Sequence, residues 1–421
     1  MQIFRDTGEE LERRWRKAGY DEKVFPSIAA DVLGSADIPS KVNAWELVEW
    51  ILGQTELPVQ QDLYGKFGDP PITLFNGPRF QFDVYFWLEG TTAVHQHSFC
   101  GAFQVFHGSS LHSQYKFETD RDLNYFARVG QTVLESCNIL NVGDVQEIQP
   151  GEQYIHALFH LDQPSATVIA RTTLSALNMP QYSYFKPGFA ADPFFEAPIT
   201  VKKIQFLSAA IRSDYEHADR LIEEFVRSND FHTSFQMLQG LRPLLRQATF
   251  KEVFGIDAAG DRFDRIVSVV EEVHPDLGDL PRKLFTETLR LENIIALRNI
   301  VSDPEHRFFL ALLLNVDHLE MVLSLIKERF PDTDPKERLL DWVSDLGNTR
   351  VIGDQYPNAL GIADFDDFDT AVLEELIGGS SVEKIISSLL GDAAGEAESQ
   401  RVASSIEKLK NSSVFGRLLE K

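Results

Sequence analysis

Between Phe80 and Thr173 the chain passes through short segments of aromatic and β-branched residues, broken by turn residues, with no helical stretch between them. No other feature limits the fold as much. Phe80 to Leu88 (FQFDVYFWL) alternates, with Phe80, Phe82, Val84 and Phe86 on one face and Gln81, Asp83, Tyr85 and Trp87 on the other. That is the pattern of a strand with one packed and one mixed face. Further strands are predicted at 92–98, 101–107, 110–118, 123–129, 132–140, 145–149, 153–160 and 165–173. Strands that follow one another without helices build a sandwich or a barrel. Residues 180–193, rich in Pro, Tyr and Phe, read as a connector.

Both flanks carry helical patterns. A lead-in over residues 1–62 is expected to pack on the side of the β region. Its helices are predicted at 6–18, with Asp6 and Glu9 as a capping box, at Lys23–Leu33, and at Asn43–Leu52 with Asn43 as cap. The β region takes residues 63–198, and residues 199–421 are predicted to be all helical. Helix starts there are marked by Asp317 with Glu320, by Asp334-Pro335 with Glu337, and by Ser380 with Glu383. The acidic run ADFDDFD (363–369) lacks the glycine and terminal glutamate of a calcium loop and reads as a charged helix start.

Composition narrows the function classes. A net charge of −24 argues against wrapping nucleic acid or lying on an anionic membrane. The two cysteines, Cys100 and Cys137, do not make a disulfide scaffold. The charged N-terminus is unlike a signal peptide, and no apolar run reaches membrane-spanning length, so a cytoplasmic setting is expected.

Chemistry concentrates in the β region, which holds His95, His97, His107, His112, His156 and His160, six of the chain's 11 histidines. On a strand His95 and His97 would share a face, and two imidazoles side by side can grip one metal ion. His156 is the distant third donor of such a site.

Two stretches resemble the motifs of the cupin superfamily. Gly90, His95, His97 and Gly108 match the first, and Gly143, Pro150, Gly151 and His156 match the second. The resemblance covers roughly residues 65–180 and implies an α+β multidomain chain: a cupin-type β-barrel, or double-stranded β-helix, followed by an all-α domain. The glutamate slot of the first motif falls on Gly101, and no Asp or Glu occurs from Thr91 to Phe117. What remains is similar to three-histidine cupins such as thiol and β-diketone dioxygenases. Cys100 would face away from the metal, and Ala166–Thr173 (ATVIARTT) has no Ser-His-Tyr run, so the thiol branch is matched less well.

The resemblance implies one divalent metal on His95, His97 and His156. Iron(II) is favoured, while Zn, Ni, Mn or Cu also suit imidazole. Three neutral ligands leave the ion's charge uncompensated, which favours a small anionic chelating substrate together with O2. Arg171, on a late strand, is the candidate carboxylate clamp. Tyr85, Gln104, His112 and Tyr154 are candidates for the pocket lining. His160, on the strand face of His156, is the candidate for orienting a ligand. The expected activity is dioxygenase-type oxidation. The alternatives are a non-catalytic binding or regulatory cupin with a helical interaction domain, and a metal-dependent isomerase or hydrolase. Of the assemblies open to such a chain, a homodimer is the expected one. The helical half, with His217, His232, His274, His306 and His318 and no pair at helical spacing, is expected to serve the barrel rather than to catalyse.

Overall fold

The computed structural model describes residues 1–61, 63, 67–88, 92–173, 178–247, 262–351, 356–391 and 394–419. Four helices lead in: α1 (Gln2–Lys17), α2 (Phe25–Ala36), α3 (Ile38–Lys41) and α4 (Ala44–Leu52). Asn43 caps α4 as its sequence predicts: its side chain accepts from Trp45 and Glu46 N–H, and Glu46 reaches back to the Asn43 N–H. The start of α1 is a correction. Met1, not Asp6, is the N-cap, and Asp6 accepts from Gln2 instead. Phe4 is fully buried, edge-on to Phe82 and Phe106, and burial of a phenylalanine, worth about 1.5–3 kcal/mol, outweighs a cap of about 1 kcal/mol.

Ten strands follow: β1 (Pro71–Asn76), β2 (Phe80–Trp87), β3 (Gly101–His107), β4 (Ser110–Asn124), β5 (Ala127–Leu140), β6 (Val145–Ile148), β7 (Ile155–His160), β8 (Ser165–Thr172), β9 (Ser183–Phe185) and β10 (Phe189–Ala191). They form two five-stranded sheets with antiparallel pairing, ordered β1-β2-β8-β3-β6 and β7-β4-β5-β10-β9. This is an antiparallel β-sandwich. The separate strands expected at 110–118, 123–129 and 132–140 are one long hairpin, and 123–129 straddles its turn. There the Asn124 side chain accepts from Phe126 N–H. Register shifts near Tyr115, Arg121 and Asn124 let polar residues that read as breaks sit as bulges. The supposed connector at 180–193 contains β9 and β10, each too short for alternation to show.

The alternation in β2 sorts the layers. All eight residues are buried. Phe80, Phe82, Val84 and Phe86 point out of the sandwich and pack with Phe4, Leu11, Trp15 and Phe25 of the lead-in. Gln81, Asp83, Tyr85 and Trp87 point inward and line a cavity. The more polar face is thus the interior one.

The outer face of the second sheet is covered by the C-terminal helices. Leu111, Ile139, Phe159 and Leu161 share a core with α9 (Leu280–Ile300) and α10 (Pro304–Asn315), while Ala127, Val129 and Phe189 share another with α5 (Pro198–Arg212), α6 (Ala218–Arg227), α7 (Phe231–Leu245) and α8 (Arg262–Val273). Later helices run from Leu319–Arg329 to Gly416–Leu419. Asp334 caps its helix and Asp366 caps the one beginning in the acidic run, with Asp369 completing a capping box. Two expected caps move. Ser381 replaces Ser380. His318 replaces Asp317, whose carboxylate is taken by Lys186 of the sandwich at 2.8 Å. No described helix is long and apolar enough to cross a membrane.

Candidate metal centre

His95 and His97 do not lie on a regular strand. Residues 92–98 make only an isolated bridge at His95, to His156 and to Ser183. His95 and His156 exchange backbone hydrogen bonds, both 2.9 Å, and Gln96 N–H donates to Tyr182 O while Tyr184 N–H donates to Val94 O. This irregular segment therefore joins β7 to β9, the two edge strands of the second sheet. Residue 151 locks the next turn: Gly151, at φ +67°, donates its N–H to His97 O at 2.8 Å. That backbone conformation favours glycine, which accounts for the Pro-Gly of the second motif. Gly90 of the first motif lies outside the described residues.

The three imidazoles converge. His95, His97 and His156 offer ring nitrogens that all lie within 4.8 Å of one another. Each residue is at most 9% exposed. His95 Nδ1 lies 2.7 Å from Ala93 O, which leaves its buried Nε2 without a partner. His97 Nε2 and His156 Nε2 stand 2.9 Å apart. Burial holds all three rings below the usual histidine range, against the Ala93 hydrogen bond at His95, and well below at His97 and His156, where neighbouring imidazoles add to the effect. Neutral rings with lone pairs turned to one point fit a single metal ion.

Behind His156 lies a layer that along-strand counting does not find. His112 Nε2 is 3.2 Å from His156 Nδ1 and 2.9 Å from Tyr154 Oη. With His112 Nε2 as acceptor, His156 carries its proton on Nδ1 and turns the Nε2 lone pair toward the other two histidines. Burial pushes His112 down to about 4, so it is a neutral acceptor at ordinary pH.

His160, expected to orient a ligand, sits elsewhere. Its Nδ1 meets Ser165 Oγ at 2.7 Å and Ser110 Oγ at 3.2 Å, and its ring stacks on Trp87 at 4.5 Å. Four residues along a strand span roughly 13 Å, too far for one imidazole to serve the other. Burial pushes His160 down to about 3. The unfolded chain takes that proton near pH 6.5, so between these values the unfolded state binds more protons and stability falls as pH falls. Urea unfolding at pH 7 and pH 5 is expected to show a loss for the wild type that exceeds the loss for His160→Gln by about 2 kcal/mol. Equal losses in the two proteins would contradict this.

The remaining candidates divide. Gln104 faces away from the cavity and donates to Gly143 O at 3.1 Å. Cys100 also points outward, into the core under the lead-in helices, and burial pushes its thiol up to about 11. The glutamate slot is closed: a Cβ on Gly101 would come within 2.0 Å of Ala170 O. Phe99 and Phe103 flank that position and line the cavity.

The cavity holds about 460 Å³, the size of a small-ligand site. Its walls include Phe67, Trp87, Phe99, Phe103 and Phe194. Asp83 is the carboxylate among the described lining residues. Asp83 Oδ1 accepts from Thr73 Oγ1 at 2.8 Å, and Oδ2 accepts from Gln81 Nε2 at 2.6 Å, Tyr85 Oη at 3.2 Å and Arg171 Nε at 3.2 Å. Burial, with Asp83 adding to it, drives the Tyr85 phenol far up, so it keeps its proton. Arg171 lines the cavity, with its guanidinium 5.1 Å from the Phe99 ring. Its charge is matched by Asp83, a partner that strand spacing does not announce.

No protein-family model and no curated protein matches the chain. Solved structures align with part of it. A cupin-2 domain protein from Shewanella frigidimarina is 14% identical over 32% of this chain and 99% of its own, with a TM-score of 0.19. A cupin 2 conserved barrel domain protein from Rhodopseudomonas palustris is 16% identical over 31% and 77%, with a TM-score of 0.20. The DMSP lyase DddQ from Ruegeria pomeroyi is 14% identical over 43% and 95%, with a TM-score of 0.22. Likenesses of this size assign no activity. Fold and site themselves are those of an antiparallel β-sandwich with a three-histidine group suited to one metal ion.

Proposed function

We propose that this chain is a metal-dependent cupin enzyme that oxidises, with O2, a small anionic substrate chelated at His95, His97 and His156. The observation that carries the reading is the donor set: three buried neutral imidazoles converge, and the position of a fourth, acidic ligand is closed by backbone. When bound there, a redox-active divalent ion, iron(II) by preference, supplies Lewis acidity and one-electron chemistry toward O2.

The protein's own residues do the rest. His112 and Tyr154 hold the tautomer of His156. Buried Trp87, Phe99 and Phe103 put apolar surface around the histidines, which strengthens electrostatic contacts there. Tyr85 remains a protonated phenol that donates to Asp83, and Arg171 is held in place by the same carboxylate. His160 acts one layer back by fixing the Trp87 wall.

The test is metal analysis of anaerobically purified protein, followed by O2 uptake with iron(II)-loaded chain against thiols, diketones, hydroxy acids and catechols. About one metal per chain and substrate-dependent O2 consumption are expected. A metal-loaded chain that converts one of these compounds without consuming O2 would sink the oxidative reading.

A further inference from the structure

The three-histidine end of the cavity and its polar end differ in charge. At the polar end, Asp83 is 2% exposed and accepts from four side chains, so its carboxylate is saturated by Thr73, Gln81, Tyr85 and Arg171. Arg171 is the cation of this wall, and Asp83 pairs with it. Among the described lining residues, the wall is therefore polar but carries no net charge. An anion brought to it gains little from a guanidinium already matched by a carboxylate, and it meets the repulsion of Asp83.

Phe99 sets the distance between the two ends. Its ring stands 4.4 Å from the His97 ring on one side and 5.1 Å from the Arg171 guanidinium carbon on the other. A ligand that reaches from the histidines to the polar wall must lie along an aromatic ring. Phe67, Trp87, Phe103 and Phe194 put flat apolar faces on the remaining walls, beside the polar side chains of Thr92, Ser98, Thr167 and Gln181, and such faces are where rings stack.

From this we infer that the substrate is a flat, aromatic-bodied chelator whose far end is neutral and polar, a carboxamide or hydroxyl rather than a carboxylate. In this arrangement Asp83 and Arg171 together determine specificity against a second anionic group. The inference rests on the metal-centre reading above and narrows it. Arg171 is then a hydrogen-bonding group with its charge cancelled, not a clamp for an anion. The anionic atoms of the substrate belong at the histidine end, where three neutral ligands leave a divalent ion's charge uncompensated.

The experiment is anaerobic calorimetric titration of the zinc-loaded full-length chain with 3,4-dihydroxybenzamide and 3,4-dihydroxybenzoate, two catechols that differ in far-end charge. The wild type is expected to bind the amide at least about tenfold more tightly than the carboxylate. Asp83→Asn keeps the size of the side chain and leaves Arg171 unmatched. It is expected to shift the ratio of the two affinities by at least about tenfold toward the carboxylate. The wild-type ratio requires no variant to fold, so it decides the matter by itself if Asp83→Asn is unstable. Equal or tighter binding of the carboxylate by the wild type would overturn the inference. So would an unchanged ratio in a folded Asp83→Asn protein, or failure of both catechols to bind a chain that holds one zinc. In each of these cases the metal centre would stand. A chain that holds no zinc or iron would overturn the metal centre and this inference with it.

Discussion

Replacing His97 with alanine is expected to leave the chain folded but unable to hold metal at stoichiometric level. Structural zinc sites draw about 10–16 kcal/mol from four ligands, so one ligand is worth roughly 3 kcal/mol, or two to three orders of magnitude in affinity. A site with three donors has none to spare. The fold should tolerate the change, because His97 Nδ1 is already buried without a partner, and the substitution removes only the ring contacts with His95, Phe99 and His156 and the approach of its Nε2 to His156 Nε2. His112→Ala provides the graded comparison. It removes no ligand, only the acceptor behind His156, and is expected to weaken metal binding by about 10–100-fold. Metal content after dialysis against a competing chelator reads both effects on one scale. Full stoichiometric metal in His97→Ala would show that the ion, if any, sits elsewhere.

That ordering could not have been written from the sequence alone, and the reason is geometric. The histidines His95, His97 and His156 are legible because two motifs carry them. His112 is not, because its link to His156 runs across strands. β4 pairs with β7 so that Gln114 lies opposite His156, and His112 is the diagonal neighbour two residues on. Sequence spacing sees only along-strand neighbours, so it put His160 in that role. The same limit hides Asp83. The alternation of β2 separates its two faces correctly, yet only the placement of the lead-in helices shows that the more polar face is the interior one. β3, β7 and β8 are legible because each is long enough to alternate or to form a buried run. β1, β9 and β10 are short or proline-flanked, and although β1 pairs with the next strand β2 and β9 with β10, the place of the last pair in the sheet is decided by the distant β5. Cap motifs read well where nothing competes, as at Asn43 and Asp334, and fail where tertiary contacts do, as at Asp6 and Asp317.

A chain cut after residue 198 is expected not to form a stable, metal-binding sandwich. The outer face of the second sheet has no cover of its own. Leu111, Cys137, Ile139, Phe159 and Leu161 are buried in a core shared with Ile294, Leu297, Phe309 and Leu313, and Val129 and Phe189 in one shared with Ile222 and Phe235. Re-exposing seven apolar side chains at roughly 1.5–3 kcal/mol each costs about as much as the 5–15 kcal/mol that holds an ordinary domain folded. Polar ties go as well. Buried Arg298 on α9 donates to Leu161 O at 3.0 Å and to His160 O at 3.4 Å, at the end of the strand that carries His156. Lys186, its side chain 12% exposed, would be left without Asp317. The comparison is residues 1–198 against the full chain, read by solubility, near-UV circular dichroism and metal content. Aggregation or loss of fixed tertiary structure is expected. A soluble, cooperative fragment that binds one metal and keeps full activity and the same oligomeric state would mean that the helices neither hold the second sheet nor serve the site it builds.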